Sequence, residues 1–511
     1  MTGHSEEEAT SQSLKESIEK RVSFPPDEQM VSDFVERRAE LQEADSLTLT
    51  DIILAYKQSC EKHHVKPNPK ALDQLKQITC VIDRARCFDL SGERLDYCSC
   101  ESLEEILKSV QFDFISLKGA ELEQNGASSL LDMFLYYESA THLDVSSNSG
   151  MGFSGWLSLS HLLRQSGCLW RLDACNMPMV DYAAQALSKA LLTSRLTVLH
   201  LENTCLSGKP LFTLVGALKK NVALQELYLS ENNLNGYQDS MQLGDLLKYK
   251  STLKTLDLSN NTVSDSGLEE ICDALSSQKT GLRTLILSNN HITHLGMSHL
   301  QDVLPHLKTL ETLNLGKNNL ENRGIHTLKE SLMINRSLLQ LGLASTGITC
   351  EGAVTLAEIL AENPQIQRLD VRQNQVLAGG LMALSLALKI NRSLIRLDLD
   401  QHLKEEKYVV RSTAVSLLQA AALNSDSGTG SEVSSRVAAA TEGDGCARGG
   451  ALPPRSKEDF LVETQKMLVS RISDVCAENA MAAKGTALRP SSPDPADCAE
   501  TTYPLPTQTA D

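Results

Sequence analysis

Three glycines have the spacing found in dinucleotide-binding loops. Gly150, Gly152 and Gly155 form a G-x-G-x-x-G sequence, which follows the strand-like HLDVSS and precedes the helix-like WLSLSHLL. In a nucleotide-binding fold, such glycines let the backbone approach a pyrophosphate at a helix N-terminus. Strand, turn and helix alternate all along this chain, however, and Gly155 falls within one residue of the glycine that enters the helix in other units. We therefore interpret the three glycines as structural.

Cysteine and histidine residues of metal-binding type occur nearer the amino terminus. Cys60 precedes His63 and His64, and Cys98 lies two residues before Cys100. Neither group reproduces the paired C-x-x-C framework of a structural zinc site, so we predict no metal and no cofactor. The chain also lacks a Walker P-loop and the G-x-S-x-G and H-E-x-x-H signatures. We predict no catalytic residues and no enzyme activity.

A repeat of about 28 residues determines where most large apolar side chains fall. The stretches ALQELYLSENNL, TLKTLDLSNNTV, GLRTLILSNNHI and TLETLNLGKNNL share the pattern L-x-x-L-x-L-x-x-N. The second apolar position, which we call the anchor, recurs twelve times at intervals of 27 to 29 residues: Phe88, Ile115, Leu143, Leu172, Leu199, Leu227, Leu256, Leu285, Leu313, Leu341, Leu369 and Leu397. The L-x-L alternation predicts a short strand with both leucines in the core. The asparagine that follows can satisfy backbone groups where the chain leaves the strand.

This pattern is the leucine-rich-repeat signature, and one strand plus one helix per unit resembles the ribonuclease-inhibitor-like class. The resemblance implies an α/β horseshoe solenoid over residues 83–403, with a parallel sheet on the concave side and helices on the convex side. Such arrays present extended surfaces that bind proteins.

The segments that flank the array differ from it in composition. The first 50 residues carry twelve acidic and five basic side chains, and we predict that residues 1–47 are disordered. The other predicted segments are a helical amino-terminal cap, a low-complexity insertion or linker, a helix and a disordered tail, at 48–82, 404–455, 456–485 and 486–511.

Overall composition limits the partners and the compartment. The chain has 511 residues and a formal net charge of −17, which argues against a nucleic-acid partner. No apolar run approaches the roughly 20 residues of a membrane helix, so we predict no membrane partner. Thirteen cysteines without a regular framework indicate reduced thiols. We predict an intracellular protein, cytoplasmic and/or nuclear.

Half of the residues that follow the twelve anchors are aspartates, and they should point out of the concave side of the sheet. We call this set the acidic ladder: Asp89, Asp144, Asp173, Asp257, Asp370 and Asp398. It could recognise a basic or mixed protein partner. Alternatively, aspartate after leucine is simply a common choice in this repeat, and the sequence leaves both interpretations open.

A short motif in the acidic amino-terminal segment matches the docking pattern of protein phosphatase 1 binders. That pattern is a basic residue, then valine or isoleucine, any residue, and phenylalanine or tryptophan. The motif, here called the docking motif, consists of Lys20, Arg21, Val22, Ser23 and Phe24, followed by two prolines. Added as a strand to a sheet edge, it would place Val22 and Phe24 on one face. A second match, Lys108 to Phe112, supplies Phe112 to a repeat, and we interpret it as structural.

The docking motif, the following PDEQMVSDFVE, the repeats and the later helix EDFLVETQKMLV together resemble the leucine-rich-repeat regulatory subunits of protein phosphatase 1. The resemblance implies a non-catalytic subunit that binds the phosphatase catalytic subunit and inhibits or directs it. The basic residues before Ser23 also suit a basophilic kinase, and a phosphate there should weaken docking. Two alternatives remain open at this point, namely a leucine-rich-repeat GTPase-activating protein and a generic protein-binding scaffold.

Overall fold

A computed structural model describes residues 48–79, 83–277, 281–400 and 457–487, with the side chains of 462–484 in the last range. The predicted acidic segment 1–47, the predicted linker 404–455 and residues 488–511 of the predicted tail lie outside the described residues.

Twelve parallel strands form one sheet, in which each strand pairs with the next one along the chain. The strands are β1 (Ala85–Asp89), β2 (Phe112–Ser116), β3 (Ala140–Asp144), β4 (Arg171–Asp173), β5 (Val198–His200), β6 (Glu226–Tyr228), β7 (Thr255–Asp257), β8 (Thr284–Ile286), β9 (Thr312–Asn314), β10 (Gln340–Gly342), β11 (Arg368–Asp370) and β12 (Arg396–Asp398). The register aligns successive anchors, from Phe88 with Ile115 to Leu369 with Leu397. The predicted α/β leucine-rich-repeat solenoid is therefore confirmed.

Helices precede, connect and follow the strands. They are α1 (Leu49–Lys62), α2 (Pro69–Leu75), α3 (Tyr97–Ser102), α4 (Glu104–Ser109), α5 (Gln124–Tyr137), α6 (Gly152–Gln165), α7 (Asp181–Leu191), α8 (Gly208–Leu218), α9 (Gly236–Tyr249), α10 (Ser264–Ser277), α11 (Met297–Val303), α12 (Glu321–Ile334), α13 (Cys350–Glu362), α14 (Ala378–Ala387) and α15 (Lys457–Ala487). The helix α11 is short because Pro305 follows it, in the 3-10 turn Leu304–His306.

The core is aliphatic and runs the length of the array. Eleven of the twelve anchors are at most 2% exposed, and Leu397 in the last strand is partly buried. Each repeat contributes its anchor and the residue two positions on, usually leucine as in Leu227 and Leu229, because side chains alternate along an extended chain. Each repeat thus buries its apolar side chains against its neighbours.

Asparagines after the strands bond to the backbone, as predicted. In Asn261, Nδ2 donates to the carbonyl oxygens of Leu229 (3.0 Å) and Leu258 (2.9 Å). Its Oδ1 accepts from the backbone N–H of Asn232 (2.8 Å) and Leu234 (3.2 Å). One side chain therefore ties two repeats together, and the buried Asn148, Asn232, Asn290, Asn318 and Asn374 act similarly.

A second column of side chains lies six residues before the anchors, where the convex helices end. Asn363 is representative: its Nδ2 donates to the carbonyl oxygens of Leu332 (2.7 Å) and Asn335 (3.0 Å). Asn221 and Asn391 donate to the end of the preceding helix in the same way, and Asn335 donates to Leu304 in the 3-10 turn after α11. We call these residues the convex column. Lys250 occupies the same position after α9, and its Nζ donates to the carbonyl oxygen of Asn221 at 2.6 Å.

The helix α15 packs against α14 and β12 at the carboxyl end of the array. Its buried side chains recur every three or four residues along one face: Gln465, Leu468, Ile472, Cys476 and Asn479. The Nδ2 atom of Asn479 donates to the carbonyl oxygens of Leu394 (3.0 Å) and Asn391 (3.4 Å). The convex column is therefore extended by a residue that lies 88 positions beyond Asn391.

Candidate functional site

The residues of the docking motif, Lys20 to Phe24, lie outside the described residues, so their role stays a prediction. The second match to the docking pattern, Lys108 to Phe112, lies within the described residues. Val110 and Phe112 are 1% and 0% exposed, and the Phe112 ring stacks on Phe88 with centroids 4.8 Å apart. The structural interpretation of Lys108 to Phe112 is confirmed.

The G-x-G-x-x-G glycines are explained by packing on the preceding repeat. A Cβ added to Gly150 would lie 2.9 Å from the carbonyl oxygen of Leu122, and one added to Gly155 would lie 3.3 Å from the Cβ of Ala127. Gly152 has a φ of +58°, which favours glycine. The close approach serves helix α6 and its neighbour α5, which supports the structural interpretation of this motif.

The cysteines and histidines of metal-binding type do not converge. Cys60 and Cys100 are fully buried in the core, whereas Cys98 is exposed. Within residues 48–79, 83–277, 281–400 and 457–487, no three histidine, cysteine, aspartate or glutamate side chains are grouped to hold a metal ion.

The acidic ladder lies on the concave side, and four of its members cap the turn after their strand. The carboxylates of Asp89, Asp144, Asp257 and Asp370 each accept a hydrogen bond from the backbone N–H two residues later, at 2.8 to 3.1 Å. The side-chain oxygen of Asn314 likewise accepts a hydrogen bond from the backbone N–H of Gly316 at 3.0 Å. Short side chains with an oxygen acceptor favour this turn, which gives aspartate after leucine a structural reason.

Most of the ladder is also neutralised by basic residues of the chain itself. Lys70 Nζ lies 3.0 Å from Asp89, and Arg372 lies 2.7 Å from Asp370. Asp398 contacts both Arg368 (2.9 Å) and Arg396 (2.7 Å).

The aspartate Asp173 has the densest set of partners in the ladder. Arg171 Nε lies 3.0 Å from its Oδ1, His142 Nε2 lies 2.8 Å from its Oδ2, and His200 Nε2 lies 3.9 Å away. Burial opposes the charge of Asp173, but hydrogen bonds from His142 and Arg171 outweigh it and lower the pKa of Asp173.

Aromatic rings flank this cluster on both sides across strands β2 to β6. Phe114 stacks on His142 with centroids 4.2 Å apart, and His200 stacks on Tyr228 at 4.0 Å with an interplanar angle of 7°. The Tyr228 hydroxyl donates to Glu226 at 2.9 Å, and His200 Nδ1 lies 2.8 Å from Glu202. The result is a preorganised polar and aromatic surface of the kind that recognises proteins.

The thiol of Cys175 next to this surface does not have the properties of a nucleophile. Its Sγ donates to Glu202 Oε2 at 2.7 Å. Burial and the charge of Glu202 raise the pKa of Cys175 to about 12, so the thiol stays protonated at neutral pH.

Asp257 differs from the paired members of the ladder. Its Oδ1 accepts from the N–H and the hydroxyl of Ser259, at 2.8 and 2.6 Å. Burial raises the pKa of Asp257, and the charge of Glu202 acts in the same direction against the hydrogen bonds from Ser259. In the described part of the chain, no lysine or arginine forms an ion pair with this carboxylate.

The sequence analysis identified Asp173 as an outward residue of the acidic ladder, but it did not identify its contacts with His142 and His200. Aligning the 28-residue repeats would have predicted these contacts, because residues at equivalent positions of successive repeats lie side by side in a parallel sheet. The convex column was also missed, although Asn335, Asn363 and Asn391 recur at intervals of 28 residues.

The strands, the helices and the asparagine contacts define the chain as a leucine-rich-repeat protein of the ribonuclease-inhibitor-like type. A family profile described as "Leucine Rich repeat" matches residues 249–272 and 306–328. Among curated proteins, the chain is similar to "Protein phosphatase 1 regulatory subunit 37" of Bos taurus and of Homo sapiens, with 52% identity over 293 residues in each case. These matches confirm the resemblance to leucine-rich-repeat regulatory subunits of protein phosphatase 1.

The similarity covers part of each protein. It spans 57% of this chain and 42% of the bovine and human proteins. The Caenorhabditis elegans "Protein phosphatase 1 regulatory subunit 37 homolog" is 36% identical over 50% of this chain and 28% of that protein. A solved chain of the Rad7 and Elc1 complex in yeast is similar at a TM-score of 0.44, with 15% identity over 75% of this chain and 92% of that chain. That likeness is too distant to add to the fold assignment, which rests on the repeats.

None of the helices in the described ranges combines the length and apolar character needed to cross a membrane.

Proposed function

We propose that this chain is a non-catalytic regulatory subunit of protein phosphatase 1. It binds the catalytic subunit through the docking motif and inhibits or directs its activity inside the cell, in the cytoplasm, the nucleus or both. The observation that carries the proposal is the 52% identity to proteins named as regulatory subunits of this phosphatase.

The chemistry of the motif supports strand addition. Val22 and Phe24 would fall on one face of an added strand and fill two pockets, while Lys20 and Arg21 would meet an acidic rim. Pro25 lacks an N–H group and would end the pairing.

Two apolar anchors do not suffice for a stable complex. Burying them contributes about 3–6 kcal/mol together, whereas a micromolar complex needs about 8 kcal/mol. Ordering the segment costs further free energy. Backbone hydrogen bonds and additional contacts, from PDEQMVSDFVE or from the repeat array, must supply the difference.

Co-precipitation of the phosphatase 1 catalytic subunit with the full chain tests the proposal. We expect Val22→Ala/Phe24→Ala to abolish capture, and the matched variant Val22→Ile/Phe24→Trp to retain it because it preserves the docking pattern. Phosphatase activity measured with each variant then distinguishes inhibition from targeting. Full capture by the alanine variant would refute the docking assignment and favour a GTPase-activating protein or a generic scaffold.

A further inference from the structure

Three neighbouring strands form a slot on the concave face. Tyr228, Asp257 and Ile286 are aligned in register on β6, β7 and β8. Adjacent strands lie about 4.8 Å apart, so the backbone positions of Tyr228 and Ile286 are roughly 9–10 Å apart. Asp257 is shorter than either neighbour and forms the floor between them. At that strand spacing, a planar group could lie between the two outer side chains.

The tyrosine wall is held in place. His200 covers one face of the Tyr228 ring at a centroid distance of 4.0 Å, and Glu226 accepts the hydroxyl hydrogen bond at 2.9 Å. Because the two rings are within 7° of parallel on adjacent strands, the other face of Tyr228 points across the sheet towards Asp257. A fixed aromatic face beside a carboxylate favours a cation that can stack on it.

The two oxygens of the Asp257 carboxylate have different surroundings. Both hydrogen bonds from Ser259 end on Oδ1 of Asp257. Among the side chains and backbone groups that the structure describes, none donates to Oδ2 of this residue.

Other members of the acidic ladder show which group binds at this position. At β11 and β12 the chain places its own guanidinium groups there: Arg372 on Asp370 at 2.7 Å, and Arg368 on Asp398 at 2.9 Å. The ladder position is therefore compatible with arginine, and among the described residues the arginines occupy it at the carboxyl end of the sheet but not at β7.

The charges around the slot favour a cation. Asp173 ends β4, Glu202 follows β5 and Glu226 begins β6, and Arg171 is already bound to Asp173. Burial and the charge of Glu202 raise the pKa of Asp257, and they outweigh the hydrogen bonds from Ser259 and the charge of His200, so compensation of its negative charge is incomplete. A cation in the slot would supply that compensation.

We propose that the slot between Tyr228 and Ile286 binds an arginine side chain presented by a protein partner, with the guanidinium stacked on Tyr228 and bonded to Asp257 Oδ2. Arginine fits better than lysine because its planar group stacks on a ring and donates in a fixed plane, whereas the ammonium is a compact, strongly hydrated charge. The site goes beyond phosphatase docking through residues 20–24 and does not depend on it.

The test is a binding titration of the full chain with a fluorescent peptide of alternating glycine and arginine, and with the matching glycine–lysine peptide. Asp257→Asn keeps the acceptor for Ser259 and should preserve the fold, and Tyr228→Leu removes the stacking face. Asp370→Asn is the matched control, since Asp370 also caps its turn but already pairs with Arg372.

We expect each slot variant to weaken arginine-peptide binding about five- to tenfold, and the control to change it by about twofold at most. The lysine peptide should bind more weakly than the arginine peptide and lose little in either slot variant. Equal losses for Asp257→Asn and Asp370→Asn would indicate general attraction to an acidic face and overturn the proposal. Equal binding of the two peptides would overturn it as well. The Val22→Ala/Phe24→Ala chain should bind the arginine peptide unchanged, which separates this site from the docking motif.

Discussion

The side-chain amide of Gln74 pairs with both backbone groups of Asp89. Its Nε2 donates to the Asp89 carbonyl oxygen at 2.7 Å, and its Oε1 accepts the Asp89 N–H at 2.7 Å. A single glutamine on α2 therefore takes the part of a neighbouring strand at the outer edge of β1. Such pairing satisfies an edge that would otherwise expose backbone groups.

Gln74→Ala should loosen the amino-terminal end of the array. Two partly buried backbone groups would lose their partner, which costs about 1–3 kcal/mol. Hydrogen exchange of α2 and β1 measures the effect, and those amides should exchange faster while β6 to β10 stay unchanged. Gln77→Ala, on the exposed side of the same segment, is the control. If both variants exchange alike, the pairing contributes nothing to the edge.

Lys250→Asn should stabilise the protein. Lys250 is 2% exposed and cannot accept the turn N–H groups that the other members of the convex column accept. An asparagine there would restore that acceptor and still donate to the Asn221 carbonyl oxygen. We expect the free energy of unfolding to rise by about 1–2 kcal/mol in denaturant titration at neutral pH. A lower value would mean that the repeat after α9 is shaped around the longer side chain.

The advantage of Lys250→Asn should shrink at alkaline pH. Burial lowers the pKa of Lys250 from 10.5 to about 8. Between these values the unfolded chain binds more protons than the folded one, so the wild type gains stability as pH rises from 8 to 10.5. The Lys250→Asn variant lacks this gain in stability with rising pH. If the difference in the free energy of unfolding between the two proteins stays constant from pH 8 to 10.5, the lowered pKa of Lys250 is contradicted.

Asn479→Ala should weaken the docking of α15. It removes the donor to the Leu394 and Asn391 carbonyl oxygens, which are buried at the end of the convex column. Hydrogen-exchange protection of α15 should fall about five- to tenfold, which corresponds to about 1 kcal/mol. The neighbouring exposed residue gives the control, Glu478→Ala. Unchanged protection would show that the apolar face of α15 suffices.

Phosphorylation of Ser23 should reduce phosphatase capture. The phosphate adds about −1.5 to −2 charge between the two apolar residues of the docking motif. Full chain treated with a basophilic kinase should capture less catalytic subunit than untreated chain, and Ser23→Ala should abolish the difference. Undiminished capture by chain that is phosphorylated at Ser23 would rule out this form of regulation.

The period of the repeat was sufficient to predict the strands but not all the contacts between repeats. Leu227 and Leu256 are buried because alternation and spacing require it, and the sequence displays both. Lys250 replaces asparagine in the convex column, so its membership of that column becomes apparent only when the residues around the end of α9 are known. Asn479 lies outside the period altogether, and no local pattern links it to Leu394. The role of Asp257 likewise depends on what its neighbours on β6 and β8 leave open.

The carboxyl end of the array is closed by a helix that is not the next element of the repeat. Hydrogen bonds from Asn479 to the carbonyl oxygens of Asn391 and Leu394, together with the buried apolar face of the helix, hold this helix in place. The last repeat therefore has the properties expected of a fragment-complementation interface. A separately supplied α15 could bind there in trans, and the covalent connection could change in length without altering the surface that it seals.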